Sequence, residues 1–331
     1  MRMSRTSHIL GLLFSVLLAF SSGCGTNPKV YRVGILCGLD IFDGTIDGFK
    51  SKMDELGYRE GVSIVYDIQN TDAEPARENE ILQKFIRDKV DLVFTFPTTV
   101  SVEAKKALRQ TDTPLVFANS NIEFNDLVKS ILEPGRNVTG VRYPGPDISL
   151  KRLELLLEIV PHAKKILLPY NQSVTLIASQ LEMLRRTAKI SGITLLELPT
   201  SGVDELEAKI AGLSSANKTD IDAILIIPEP LAVSHQGFSI LAKYAEENRI
   251  PLGGTWRTLG DFSSIWSVST DNIAVGKQAA ILVDRILKGT PAGSIPVVSA
   301  ESYIQINCKA ANKLGIKIPD GLIKQADQVV R

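Results

Sequence analysis

The chain has 331 residues, and 37 basic residues balance 37 acidic ones to give a formal net charge of zero. A balanced charge argues against a nucleic-acid or other polyanion partner, so we expect no nucleic-acid partner. The length suffices for two domains of ordinary size.

The N-terminus has the pattern of an export signal. Two arginines precede an apolar run over residues 9–20, which is too short to span a bilayer. Cys24 follows the small pair Ser22-Gly23, as in the signal of a bacterial lipoprotein. We therefore predict a signal peptide over residues 1–23, a lipid on Cys24, a tether over residues 24–29 and an extracytoplasmic, membrane-anchored location. The alternative is an ordinary signal peptide that is cleaved nearby.

Apolar runs and helical spacing in the first half predict strands that alternate with helices. The amphipathic helix that contains Phe49 and Met53 ends at Gly57, which tolerates a positive φ. The predicted strands are Val30–Leu36, Val62–Ile68, Val90–Phe96 and Leu115–Ala118. The predicted helices include Ile46–Leu56, Val100–Arg109 and a segment from about Phe124 to Leu132.

The second half repeats this order of elements. The matching positions Gly57 and Gly192, and likewise Pro114 and Pro251, are separated by nearly the same interval. Such a repeat predicts two structurally equivalent lobes. Because strands alternate with helices in each half, we predict an α/β fold of two Rossmann-like lobes, each with a parallel sheet covered by helices.

Several stretches resemble a known family. A strand that ends in three small polar residues is followed by Pro-Gly-Arg-Asn-Val-Thr-Gly-Val at residues 134–141. Near the C-terminus stand Ile306-Asn307, Leu314-Gly315-Ile316 and Ile318-Pro319. From Val33 almost to the end, the chain resembles the ABC-transporter substrate-binding proteins whose characterised members carry tryptophan or tyrosine. It departs from them at Asn121-Ile122, where Asp-Pro is usual, and at Pro228-Glu229-Pro230, where the turn usually contains an aspartate.

The resemblance implies the periplasmic-binding-protein type I fold, also called the Venus flytrap architecture, and an ABC permease as partner. In this fold the chain crosses between the lobes three times. We place the crossings near Arg142–Ser149, Ser267–Asn272 and Pro291–Val298. The first lobe would then contain residues 30–143 plus 268–291, and the second lobe residues 144–267 plus 292–331.

The candidate ligand-binding residues lie on loops at the carboxyl ends of the strands, where open α/β sheets bind their ligands. Threonine, serine and asparagine side chains at a helix start either hold a carboxylate or cap the helix. Aromatic side chains stack on planar ligands, and carboxylates accept an ammonium group. Tyr170-Asn171 also matches a Tyr-Asn turn that the family uses for its ligand. The full set is Asp40, Phe42, Thr98, Thr99, Asn119, Ser120, Asn121, Tyr170, Asn171, Ser173, Glu229, Trp256 and Asp271.

The sequence contains no catalytic motif. His162 and His235 have no partner at metal-ligand spacing, and neither a nucleophile elbow nor a phosphate-binding glycine loop is present. We predict no catalytic residue, no metal and no cofactor. Cys37 and Cys308 either form a disulfide or remain two thiols, and we favour two thiols.

The predicted function is that of a lipoprotein of an ABC importer that captures a small polar or aromatic, amino-acid-like solute. The two lobes would close around this solute at a hinge. Two alternatives remain open. One is a ligand-sensing lipoprotein that presents its solute to a receptor histidine kinase, and the more remote one is an enzyme on the same fold.

Overall fold

A computed structural model of the protein describes residues 29–38, 42–71, 74–123, 125–174, 177–215 and 220–331. The predicted signal peptide, the lipidation site Cys24 and the candidate residue Asp40 lie outside these ranges. None of the helices in the described ranges combines the length and the apolar character that crossing a bilayer demands.

The first part of the chain alternates strands and helices, as the sequence predicts. Its elements are β1 (Tyr31–Cys37), α1 (Asp43–Glu55), β2 (Ile64–Asn70), α2 (Pro75–Arg87), β3 (Leu92–Phe96), α3 (Thr98–Leu108), β4 (Leu115–Ser120) and β5 (Val138–Arg142).

The second part repeats the alternation. Its elements are α4 (Gly145–Ile159), β6 (Lys165–Asn171), α5 (Ala178–Ser191), β7 (Thr194–Thr200), α6 (Val203–Ser215), β8 (Ala223–Leu225), α7 (Pro230–Val233), α8 (His235–Glu247), β9 (Leu252–Gly253), β10 (Thr258–Leu259), β11 (Phe262–Ser263) and β12 (Trp266–Thr270). The return segment contains α9 (Asn272–Leu287), a short 3-10 turn, β13 (Val298–Ser299), β14 (Ser302–Asn307), α10 (Cys308–Lys313), α11 (Asp320–Gln325) and β15 (Gln328–Val330).

Two sheets with the same strand order form two lobes. In the first lobe the order is β2-β1-β3-β4-β5-β13, and all of these neighbours are parallel. In the second lobe the order is β7-β6-β8-β9, and a bridge between Gly254 and Ser267 adds β12 beside β9. β14 continues this sheet antiparallel to β12. The predicted two-lobed α/β fold with parallel sheets is therefore confirmed.

Each lobe has its core on both faces of its sheet. Alternate side chains of β1 and β3 pack against α1 and α9 on one face and against α2 and α3 on the other. The backbones of α1 and α9 approach closely, since a Cβ atom at Gly48 would lie 2.0 Å from the carbonyl oxygen of Ile273. In the second lobe, α4 and α5 cover one face, and α6 and α8 cover the other. No disulfide joins Cys37 to Cys308.

The crossings between the lobes follow β5, β12 and β13. The third crossing lies at Glu301, whereas we predicted it at Pro291–Val298. The difference arises because β13 pairs with β5, with Val298 opposite Val141. Residues 292–300, which we assigned to the second lobe, therefore complete the core of the first one.

The predicted helix from Phe124 to Leu132 is wrong, since the described residues of this segment form bends and irregular backbone. The Asn125 side chain donates to the carbonyl of Asn121 at 2.9 Å and accepts from the N–H of Leu127 at 2.9 Å. Such side-chain bonds offer the backbone an alternative to helical hydrogen bonding.

Candidate ligand-binding cleft

The strand order creates one crevice at the carboxyl edge of each sheet. The chain leaves β1 and β3, or β6 and β8, toward opposite sides, and open α/β sheets bind ligands at such switch points. In the first lobe, the N–H of Gly38 donates to the carbonyl of Phe96 at 2.9 Å. At the equivalent point of the second lobe, the N–H of Asn171 donates to the carboxylate of Glu229 at 3.2 Å.

Hydroxyl groups form a buried network at the edge of the first lobe. The Ser101 hydroxyl accepts a hydrogen bond from the Thr95 hydroxyl at 3.0 Å and lies 2.9 Å from the carbonyl oxygen of Pro97, to which it can donate. It also lies 3.0 Å from the Ser120 hydroxyl. Ser120 also donates to the carbonyl of Ala118 at 2.8 Å. The candidate Ser120 is fully buried in this network, so it holds the ends of β3, α3 and β4 together.

Asn119 and Asn121 complete this edge. Asn119 adopts a positive φ of 46°, and its side-chain amide donates to the Thr45 hydroxyl of α1 at 2.8 Å. The half-buried Asn121 donates its N–H to the Thr98 hydroxyl at 3.0 Å. Thr98 is only 8 % exposed. These hydrogen bonds therefore tie the end of β4 to the first turns of α1 and α3.

The first turn of α3 presents its N–H groups toward the same edge. No side chain caps this helix, and the candidate Thr99 is exposed in its first turn. The half-buried Phe42 makes an edge contact with Phe96, with ring centroids 6.3 Å apart. Phe96 itself is fully buried in the core. This edge therefore offers hydroxyls, helix N–H groups and one aromatic ring.

Glu229 organises the edge of the second lobe. Its carboxylate caps α7 by accepting the N–H groups of Leu231, at 3.0 Å, and of Ala232, and it also accepts the N–H of Asn171. The Asn171 side chain in turn accepts the N–H of the exposed Ser173 at 2.9 Å. Burial raises the pKa of Glu229, while the three N–H groups oppose that shift. The carboxylate thus ties the loop after β6 to the turn after β8.

The structure corrects the interpretation of Tyr170. Its ring packs in the core of the second lobe, only 7 % exposed, and its hydroxyl donates to Glu197 at 2.8 Å. Tyr170 shares a face of β6 with Ile166 and Leu168, and that face lies against α4 and α5. Its side chain is therefore committed to the core, and we remove it from the candidate ligand contacts.

Trp256 also lies elsewhere than predicted. It lines a groove of about 370 Å³ with residues of the β10–β11 hairpin, α10 and β15. Asn307 lines the same groove and is the last residue of β14. Ser302, the first residue of this strand, lies beside the third crossing, so the groove is at the far end of β14 from the crossing. The chain reverses at Gly254, where φ is 111°, and this reversal carries Trp256 away from the edge. Trp256 is therefore removed from the cleft residues as well.

Asp271 lies at the second crossing. Its carboxylate caps α9 by accepting the N–H of Ala274 at 2.9 Å, and the residue is exposed. Its contacts are those of a helix cap.

The edges of the two lobes meet at the start of α4. A Cβ atom on Gly145 would lie 3.1 Å from the Asn121 side-chain oxygen, 3.4 Å from the Gln180 amide nitrogen and 3.6 Å from the Tyr143 ring. Gln180 also donates to the carbonyl of Pro228 at 3.1 Å. Thus the loop after β4 in the first lobe lies next to the turn after β8 in the second.

Charged groups surround this junction. Arg142 binds Glu123 of the first lobe at 2.9 Å and Asp147 of the second at 2.7 Å. Arg152 of α4 is 3 % exposed, and burial lowers its pKa to about 10. Sequence reasoning missed Tyr143, Gln180 and Arg152. Arg152 was detectable, because it falls on the apolar face of α4 at helical spacing from Ile148 and Leu156.

Within the part of the chain that the structure describes, no three histidine, cysteine or carboxylate side chains are grouped as a metal site would require.

Two α/β lobes whose carboxyl edges face each other across a polar cleft define the class of periplasmic-binding-protein type I proteins. Residues 33–330 match the family of ABC transporter substrate binding proteins, and the chain belongs to this family.

Individual relatives agree with this assignment. A tyrosine-binding protein from Clostridioides difficile is 28 % identical over 325 residues, which cover 92 % of this chain and 91 % of that protein. The ABC domain from Streptococcus pneumonia in complex with L-Trp has a TM-score of 0.74 at 22 % identity, covering 91 % of this chain and 100 % of that chain. A ligand-free, open substrate binding protein with adhesive properties from Clostridium difficile has a TM-score of 0.74 at 24 % identity, covering 91 % and 99 %. At these identities the solved structures establish the fold alone.

Proposed function

We propose that this protein captures an aromatic amino acid, tyrosine or tryptophan, in the cleft between its lobes and delivers it to an ABC permease for import. The observation that carries the proposal is the junction at Gly145, where Asn121 of the first lobe approaches Gln180 of the second. A solute at this junction touches both lobes at once. The tyrosine-binding relative supports the ligand class.

The first lobe supplies neutral hydrogen-bonding groups for the ligand. The uncapped first turn of α3 offers N–H groups to a carboxylate, and Thr98 and Asn121 fix the loop beside it. Our candidates for contact with a planar ring are Phe42, which makes an edge contact with Phe96, and Tyr143, which lies beside Gly145. Glu229 contributes negative charge near an ammonium group, although its oxygens already accept three backbone N–H groups.

Hinge closure is the proposed mechanism. A ligand that contacts both edges stabilises the closed arrangement by its differential affinity for that state. Small-angle X-ray scattering of the mature chain, with and without a saturating ligand, measures the motion. We expect the radius of gyration to fall on binding, and an unchanged value under saturation would contradict closure.

The ligand class is tested by a thermal-shift screen of amino acids, nucleosides and purines. Binding to the folded state raises apparent stability by RT ln(1 + [L]/Kd), which is about 2.7 kcal/mol at a ligand concentration of 100 Kd. We expect the largest shifts for L-tyrosine and L-tryptophan. Shifts confined to nucleosides or purines would refute the amino-acid assignment while leaving the family unchanged.

Membrane anchoring through Cys24 is part of the proposal and rests on the sequence pattern alone. We expect the natural protein in the detergent phase of a Triton X-114 partition, and Cys24→Ser in the aqueous phase. Equal partitioning of the two proteins would show that the signal is cleaved without lipid attachment.

A further inference from the structure

The sheet of the second lobe has a gap at its carboxyl edge. β9 is two residues long, and its last ladder bonds run from Ile226 N–H to the carbonyl of Gly253 and from Gly254 N–H to the carbonyl of Trp266, at 2.9 and 2.8 Å. The chain then turns away at Gly254, whose φ of 111° permits the reversal. Beyond this point β8 and β12 have no strand between them.

Arg152 fills the gap. Its guanidinium group donates to the carbonyl of Ile226 from Nη1 at 2.9 Å, and to the carbonyl of Val268 from Nε at 2.9 Å and from Nη2 at 2.7 Å. Arginine suits this place because its planar fork presents several donors in a fixed geometry. The group therefore supplies the hydrogen bonds that a continued β9 would have made.

The guanidinium group of Arg152 is a buried positive charge. Among the described residues, no carboxylate lies within ion-pair distance of Arg152, and its three hydrogen bonds all go to neutral carbonyls. Two of its five N–H groups have no acceptor in the described part of the chain. A buried charge without a counter-charge is costly, and nearly all such charges are paired.

We propose that Arg152 selects ligands with an anionic group, because its buried charge acts on a carboxylate seated at the cleft edge. This inference deepens the proposed function and rests on it. Pro228 lies at the sheet edge, two residues after Ile226, and two residues of strand span about 7 Å. A carboxylate just beyond the edge then lies about 8 to 10 Å from the guanidinium. At an effective dielectric constant of about 20, this attraction corresponds to about 15- to 35-fold in affinity.

The test compares ligands with and without a carboxylate. L-Tryptophan and L-tyrosine are titrated by calorimetry at pH 7, together with the amino alcohols L-tryptophanol and L-tyrosinol, which keep the ring and the ammonium group. Arg152→Gln removes the charge and keeps a donor for a carbonyl, whereas Arg152→Lys keeps the charge. Arg249→Gln is the matched control, since Arg249 also donates to a carbonyl, that of Lys313 at 3.3 Å, on the surface of the second lobe.

We expect the wild-type protein, Arg152→Lys and Arg249→Gln to prefer the acids over the alcohols, and Arg152→Gln to lose about 15- to 35-fold of that preference. Equal weakening of acid and alcohol by Arg152→Gln would assign Arg152 a structural role only and overturn the inference. If Arg152→Gln does not fold, Arg152→Met is titrated in its place, because it also removes the charge but keeps most of the side-chain volume. A fall in the acid-to-alcohol preference of Arg152→Met would support the charge effect, and an unchanged preference would overturn it. Failure of the wild-type protein to bind any of the four compounds would instead refute the amino-acid ligand, and the inference with it.

Discussion

Glu229→Gln is the substitution that best tests how the second lobe is organised. The carboxylate of Glu229 accepts three backbone N–H groups, those of Asn171, Leu231 and Ala232. A glutamine offers one acceptor oxygen, and its NH₂ group faces at least one of these donors. An unsatisfied buried donor costs about 1–3 kcal/mol, so we expect the free energy of unfolding to fall by about that amount at pH 7. Ligand affinity should fall about tenfold as the Asn171 loop loses its anchor, which is equivalent to about 1.4 kcal/mol.

The pH dependence of the same variant has a definite sign. Burial raises the pKa of Glu229 above its ordinary value of 4.5. The pH window in question lies between the ordinary pKa of 4.5, which applies to the unfolded state, and the raised pKa of the folded state. In this window the folded state binds more protons than the unfolded state, so the free energy of unfolding decreases as the pH rises. On acidification the wild-type protein should therefore gain stability relative to Glu229→Gln, whose side chain does not titrate.

Urea unfolding of the mature chain at pH 7 and pH 5 measures both effects, and calorimetry measures ligand affinity. Ser234→Ala is the matched control, because Ser234 caps α8 by accepting the Gly237 N–H at 3.0 Å, and none of its hydrogen bonds goes to the described residues of the loop after β6. Loss of this cap should cost about 1 kcal/mol at both pH values and leave ligand affinity unchanged. Wild-type stability for Glu229→Gln at pH 7, or a difference that does not vary with pH, would refute the reasoning.

Two further predictions concern the first lobe. Thr98→Val keeps the side-chain volume but leaves the Asn121 N–H without its acceptor, so the free energy of unfolding should fall by about 1–2 kcal/mol. Its control Thr99→Val, at an exposed position, should change the free energy of unfolding by less than about 0.5 kcal/mol. Urea unfolding of both variants measures the two changes, and equal losses would contradict the prediction. Gly48→Ala places a methyl group 2.0 Å from a backbone carbonyl oxygen of α9 and should cost more than about 2 kcal/mol. Its control Gly212→Ala, where a Cβ atom meets nothing within 4 Å, should stabilise α6 by up to about 1 kcal/mol, and similar melting temperatures for the two variants would contradict the close packing of α1 on α9.

The fold was largely predictable because its signals are periodic. Apolar runs and glycine stops such as Gly57 and Gly192 occur in the same order in both halves, and both residues have positive φ in the structure. The segment after β4 was mispredicted because the local side-chain bonds of Asn125 compete with the helix. The third crossing was misplaced because the pairing of Val298 with Val141 joins residues far apart in the sequence, which no local pattern reveals.

For the site, the sequence locates loops more reliably than side-chain directions. Thr98, Asn119 and Asn121 do lie together at one edge, as their positions after neighbouring strands predicted. Tyr170 was assigned to a loop although β6 runs on to Asn171, and the alternation with Ile166 and Leu168 would have placed its ring in the core. The position of Trp256 depends on the chain reversal at Gly254, and a single glycine in the sequence does not predict the direction in which the chain turns.

The two edges share a strand order but differ in their chemistry, and under the proposed mechanism this difference should separate two steps of binding. The first lobe holds neutral hydroxyls in a fixed network around Ser101, whereas the second holds the buried charges of Arg152 and Glu229. Fields from buried charges are weak across water and strong across a closed, water-poor cleft. We therefore expect Thr98→Val to weaken the initial encounter and Arg152→Gln to speed ligand dissociation. Stopped-flow fluorescence separates the two rates, and an effect of Arg152→Gln on the association rate alone would show that its charge acts before the lobes close.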